Sequence, residues 1–161
     1  MDPEERLVQP FYLKMMGLNA LENANELWGD LLRAGDSASL AEVTALLGQG
    51  HWRAVVMGAW FSLKFDRELI GDDLKRAVNM CLGSLTAPPL AVAAAVVIGS
   101  DAAATLIDYV NRGPRGSESF VAAVVADLGR DAPIAFDDGD RRAVMGMFDV
   151  AHRLRASWTD A

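Results

Sequence analysis

Apolar residues recur along the chain at steps of three and four, the spacing that places them on one face of an α-helix. Trp52, Val55, Val56, Ala59, Trp60 and Leu63 follow this template without a gap, as do Val144, Met147, Phe148, Ala151 and Leu154. Looser stripes run over Leu21–Leu32, Ile70–Cys81, Ala103–Val110 and Phe120–Leu128. Glycines at 17, 35, 48, 83, 99, 113 and 129 each follow such a stretch, where a left-handed residue ends a helix. Asn19 with Glu22, and Ser39 with Glu42, have the spacing of capping boxes, and Ser117 and Asp140 read as further caps. Leu90–Ile98 is apolar on every side. Pro89 opens it well as a helix, and no other stretch offers a partner strand, so it predicts a central helix packed on several neighbours. The segment from Asp131 to Gly139 reads as a loop.

Together these signals predict eight or nine short helices in one all-α domain spanning residues 1–161. Paired antiparallel helices stacked as a short solenoid fit best, with a compact orthogonal bundle as the alternative.

Composition sharpens this picture. An apolar share of 52% against 23% charged residues excludes disorder. The net charge of −7 disfavours a phosphate backbone as partner and favours a basic protein. Most of it falls before Gly50, whereas residues 51–100 carry five basic and four acidic groups. Cys81 is alone, so no internal disulfide forms. The start, Met1–Glu5, is acidic rather than signal-like, and the longest apolar run, Ala87–Gly99, is too short to span a bilayer. A cytoplasmic protein is expected, without membrane or nucleic-acid partners.

The residues for common chemistries are missing. The two histidines, His51 and His152, form no metal-binding pair, and neither a CxxC nor an HExxH motif occurs. Asp137, Asp138 and Asp140 lack the alternation of a calcium loop. The turn Asn111–Gly116, with Arg112 and Arg115, lacks the strand and lysine of a phosphate loop. Cys81 falls on an apolar stripe and reads as a buried thiol, and Trp52 reads as core. No catalytic residue, cofactor or metal site is predicted.

The stretch HWRAVVMGAWFSL, His51–Leu63, resembles a poorly characterised family of bacterial HEAT-like helical-repeat proteins. The likeness runs over about Gln49–Tyr109 and is carried by Trp52 and Arg53 opening a helix that ends in Gly58, Ala59 and Trp60. Some members of that family are grouped with proteins that neutralise toxins. The resemblance implies a HEAT-like solenoid, a non-catalytic immunity-type role and no catalytic residues. The expected function is therefore protein–protein interaction with a basic toxin or nuclease. Glu22, Glu26, Asp30, Glu42, His51 and Arg53 are the candidate contact residues, and homodimerisation is a further expectation. The alternative is a small-molecule sensor or carrier with a pocket lined by Trp28, Met57, Trp60 or Phe148.

Overall fold

The computed structural model describes residues 1–81 and 83–160. Among these the chain is all-helical, with no strand. A single π-type turn, Glu4–Val8, precedes nine α-helices among the described residues. These are α1 (Tyr12–Met15), α2 (Ala20–Ser37), α3 (Leu40–Gly48), α4 (Trp52–Ser62) and α5 (Arg67–Met80), then α6 (Ala87–Ile98), α7 (Ala103–Asn111), α8 (Glu118–Asp127) and α9 (Asp138–Thr159).

The all-round apolar segment is α6. Pro88 and Pro89 occupy its first turn, where a missing amide hydrogen costs nothing, and Gly99, at φ 82°, ends it. Every α6 residue except Val96 is buried, against α4, α5, α8 and α9. Five alanines in this helix let those neighbours approach closely. With the short 3₁₀ turn after it and α7, the helical stretch 87–111 holds an 18-residue window of mean hydropathy 2.0, long and apolar enough for a membrane span. Most of it faces other helices inside the protein.

The neighbours divide the remaining contacts. Helix α3 packs on α4, α7 on α8, and α2 on α9. The stripe predicted for α4 widens to a full circumference, since Ala54 to Ser62 are all buried. Gly58 makes this possible, because a Cβ there would stand 3.1 Å from the Leu47 backbone nitrogen. The Trp60 indole donates to the Met15 carbonyl at 3.0 Å, tying α1 to α4.

Local signals set several helix ends. The Ser39–Glu42 capping box forms with both bonds in place. At α9 the box is Asp137 with Asp140, so Asp140 is the returning partner rather than the cap. Asn19 makes no capping bond, and its side-chain amide donates instead to the Leu13 carbonyl at 2.9 Å. Ser117 precedes α8 at φ 62°, also without a capping bond.

Gly35, expected at a helix end, lies inside α2. An added Cβ there would fall 2.2 Å from the Trp158 ring of α9, so the glycine is required by packing. Trp158 also donates to the Leu32 carbonyl at 3.2 Å. Gly35→Ala is therefore expected to destabilise the protein by about 1–3 kcal/mol despite alanine's better helix propensity. The exposed Gly29 of the same helix has only ordinary contacts at its Cβ position, and Gly29→Ala should stabilise by about 0.5–1 kcal/mol. Urea unfolding of the two variants reads the opposite signs, and equal stabilisation by both would contradict the α2–α9 packing.

Candidate functional site

The surface opens into a groove of about 530 Å³, within the usual range for small-ligand sites. The end of α3 supplies Leu47 and the following Gly50, the start of α4 supplies Trp52 and Val55, and the last turn of α5 supplies Ala77 and Met80. Cys81 and the loop Gly83–Thr86 complete the lining, which is mainly apolar and contains no carboxylate among the described residues. Met80 is 58% exposed and Leu85 40%, so the groove leaves large apolar side chains in water. The interior beyond Cys81, among Val78, Leu90, Leu106 and Tyr109, has no space for a water molecule. The groove thus stops at a dense core.

Its loop wall is held from two sides. The Gly17 amide donates to the Leu85 carbonyl at 2.7 Å. On the other side Gly116, at φ 112°, approaches Ser84 so closely that a Cβ would lie 2.8 Å from the Ser84 Cβ. The Ser117 hydroxyl donates to the Ser84 carbonyl at 3.3 Å, and the Tyr109 hydroxyl donates to the Gly116 carbonyl at 2.6 Å. Burial pushes the Tyr109 hydroxyl well above its ordinary pKa, so it remains a donor at neutral pH. The Glu118 carboxylate accepts from the Gly116 amide at 2.8 Å and from the Arg115 amide. Those amides hold it below the ordinary carboxylate range. The Arg115 guanidinium reaches the carbonyls of Cys81 at 3.1 Å and Asn79 at 3.4 Å.

Cys81 is a buried free thiol whose Sγ lies 3.5 Å from the Thr86 hydroxyl and 3.6 Å from the Gly83 carbonyl. Trp52 is half-buried: one side lines the groove, and its ring meets Tyr12 edge-on at 5.7 Å. The Arg53 guanidinium stands 5.1 Å from the Trp52 ring and 5.3 Å from the Tyr12 ring. Its Nε is buried without an acceptor. His51 is exposed at the start of α4 and makes no side-chain cap.

The remaining sequence candidates lie apart from this groove. Glu22, Glu26 and Asp30 are exposed on α2 at successive four-residue steps, so they share one face. Two of the three are ion-paired, Glu26 with Lys14 at 3.5 Å and Asp30 with Arg33. Glu42 belongs to the α3 capping box and binds Arg6 at 2.6 Å, an interaction that lowers its pKa. Trp28 lies under Arg153, Met57 and Trp60 are core, and Phe148 stacks on His152 at 5.9 Å. None of these four lines the groove. Sequence reasoning missed Met80, Ser84 and Leu85 as site residues. A usable signal was the start of α4, where an apolar helix follows Gly50 with no Ser, Thr, Asp or Asn cap.

The anchoring of the groove wall by Glu118 has a pH signature. Its folded pKa lies below the ordinary value of 4.5, so its contribution to stability is present above that value and lost as pH falls through the folded one. Wild type should exceed Glu118→Gln by about 1 kcal/mol in urea unfolding at pH 7, and the gap should close as pH falls below the ordinary carboxylate range. A pH-independent gap would contradict the role of the carboxylate charge. Against known protein families, curated proteins and solved structures, the chain finds no match.

Proposed function

We propose that the protein is a non-catalytic binding module that seats the apolar part of a small ligand in the groove between α3, α4, α5 and the Gly83–Thr86 loop. The observation that carries this reading is a cavity of about 530 Å³ with an apolar lining and walls held from both sides. An apolar surface of this kind stays wet only at a cost, and burial of a hydrocarbon group there would release about 25 cal/mol for each Å² removed from water. Preorganised walls keep the ordering cost of binding low.

Helices α2 and α9 pack against each other across the length of the sequence, which supports a compact bundle over an open stack of paired helices. In either arrangement the groove is formed where α3, α4 and α5 meet the loop. A second reading is the docking of a basic protein on α2. It is favoured by Glu22, which is exposed and makes no ion pair among the described residues, beside the exposed Leu18 and Leu21. Complementary charge there would act chiefly on the rate of encounter.

Calorimetric titration with 1-octanol tests the groove reading. Saturable one-to-one binding is expected to wild type. Val55→Phe, which fills the groove from the α4 side, should weaken it by at least about tenfold with a retained helical spectrum. No saturable binding to wild type, or equal binding to the variant, would contradict the proposed site.

A further inference from the structure

One wall of the groove is backed by residues that do not line it. Behind Ser84 runs the turn 115–117, which belongs to no helix. Gly116 packs so close that an added Cβ would stand 3.0 Å from the Ser84 nitrogen, and the Ser117 hydroxyl donates to the Ser84 carbonyl at 3.3 Å. Ser117 itself sits at φ 62°, a left-handed conformation uncommon for serine, so the turn needs outside contacts to keep its shape.

Two side chains supply them. The Tyr109 hydroxyl, from α7, donates to the Gly116 carbonyl at 2.6 Å. The Glu118 carboxylate, at the start of α8, accepts from the Gly116 amide at 2.8 Å and from the Arg115 amide. Gly116 is thus gripped at both of its backbone polar groups. The chain closes tightly on the carboxylate, since a Cβ at Gly113 would stand 3.0 Å from its Oε1. Tyr109, Cys81 and Arg115 are the other ionisable groups at this corner. From α9, Asp140 accepts from the hydroxyl of the neighbouring Ser119 at 3.2 Å, and α6 carries no ionisable residue. Among the described residues Glu118 is therefore the one carboxylate bonded to the amides of this turn.

We propose that Glu118 is a positioning residue for the groove, setting ligand affinity at a distance by holding Gly116 against Ser84; this rests on the binding role proposed above. With the carboxylate ionised, both amides are engaged and Ser84 is backed. A protonated carboxyl accepts more weakly, so the turn loosens and Ser84 loses its support. The ligand must then meet the cost of ordering the wall when it binds. The coupling is reciprocal: a seated ligand keeps Ser84 in place and so favours the ionised form of Glu118. The groove holds its ligand with Glu118 ionised and releases it in acid.

The test is calorimetric titration of 1-octanol into wild type, Glu118→Gln and Tyr109→Phe, from pH 7 down through the carboxylate range, with the helical spectrum followed at each pH. At pH 7 Glu118→Gln should bind octanol about fivefold more weakly than wild type. Wild-type affinity should stay level down to the ordinary carboxylate range and fall below it towards that of Glu118→Gln, whose affinity should change little over the same range. Tyr109→Phe, which releases the other grip on Gly116, should also weaken binding yet keep the fall in acid, because its Glu118 still titrates. Equal affinity of wild type and Glu118→Gln at pH 7 would overturn the inference, as would the same fall in both as pH drops. Either result would leave the groove reading in place, whereas no saturable octanol binding to wild type at pH 7 would overturn the groove reading itself.

Discussion

Everything in this fold is arranged around one requirement, the burial of α6 on all sides. A helix of alanine, valine, leucine and isoleucine has no face it can show to water, so it must be enclosed by several helices at once. Helices α4, α5, α8 and α9 do this, and α4 becomes almost as fully buried as α6 through its own contacts with α3 and α6. The chain enters α6 through the Gly83–Thr86 loop, which must therefore pass beside the ends of α4 and α5. Its position there, fixed by Gly17 on one side and Gly116 on the other, opens the groove. The site is thus a consequence of how the central helix is reached.

A second pattern links packing to charge. Helices α2, α4, α5 and α6 have no basic residue in their own last turns. Their terminal carbonyls are met by basic side chains from elsewhere: Lys64 at α2, Arg155 at α4, Arg115 at α5 and Arg67 at α6. Each such bond satisfies orphan carbonyls and favours the negative end of the helix dipole. It also ties one helix to another, so the cations act as tertiary connections.

Much of the local architecture was legible in the sequence because it depends on neighbours in the chain. The Ser39–Glu42 box, the proline opening of α6 and its central place follow from short-range rules, as does the loop predicted from Asp131 to Gly139, which ends two residues early because Asp137 caps α9. The failures share one physical cause. Gly35 looked like a helix end because its reason for being glycine, the Trp158 ring, lies far away in sequence. Asn19 looked like a cap, yet its side chain turned to Leu13. The candidate site was the least legible part. Its walls come from four separate segments, and Met80 and Leu85 are ordinary apolar residues until the loop is seen to leave them uncovered. Trp52 and Arg53 did stand out in the sequence, but as a core residue and a surface contact. That the Trp52 ring lines the groove and carries the Arg53 guanidinium against it needed the fold.

The central claim is that this groove, rather than another surface, receives the apolar body of a ligand. Intermolecular nuclear Overhauser effects between 1-octanol and selectively methyl-labelled protein test it most directly. Cross-peaks are expected from the octanol chain to the methyl groups of Val55, Met80 and Leu85. Cross-peaks confined to methyls outside the groove, such as Leu21 or Met145 on the α2–α9 side, would contradict it.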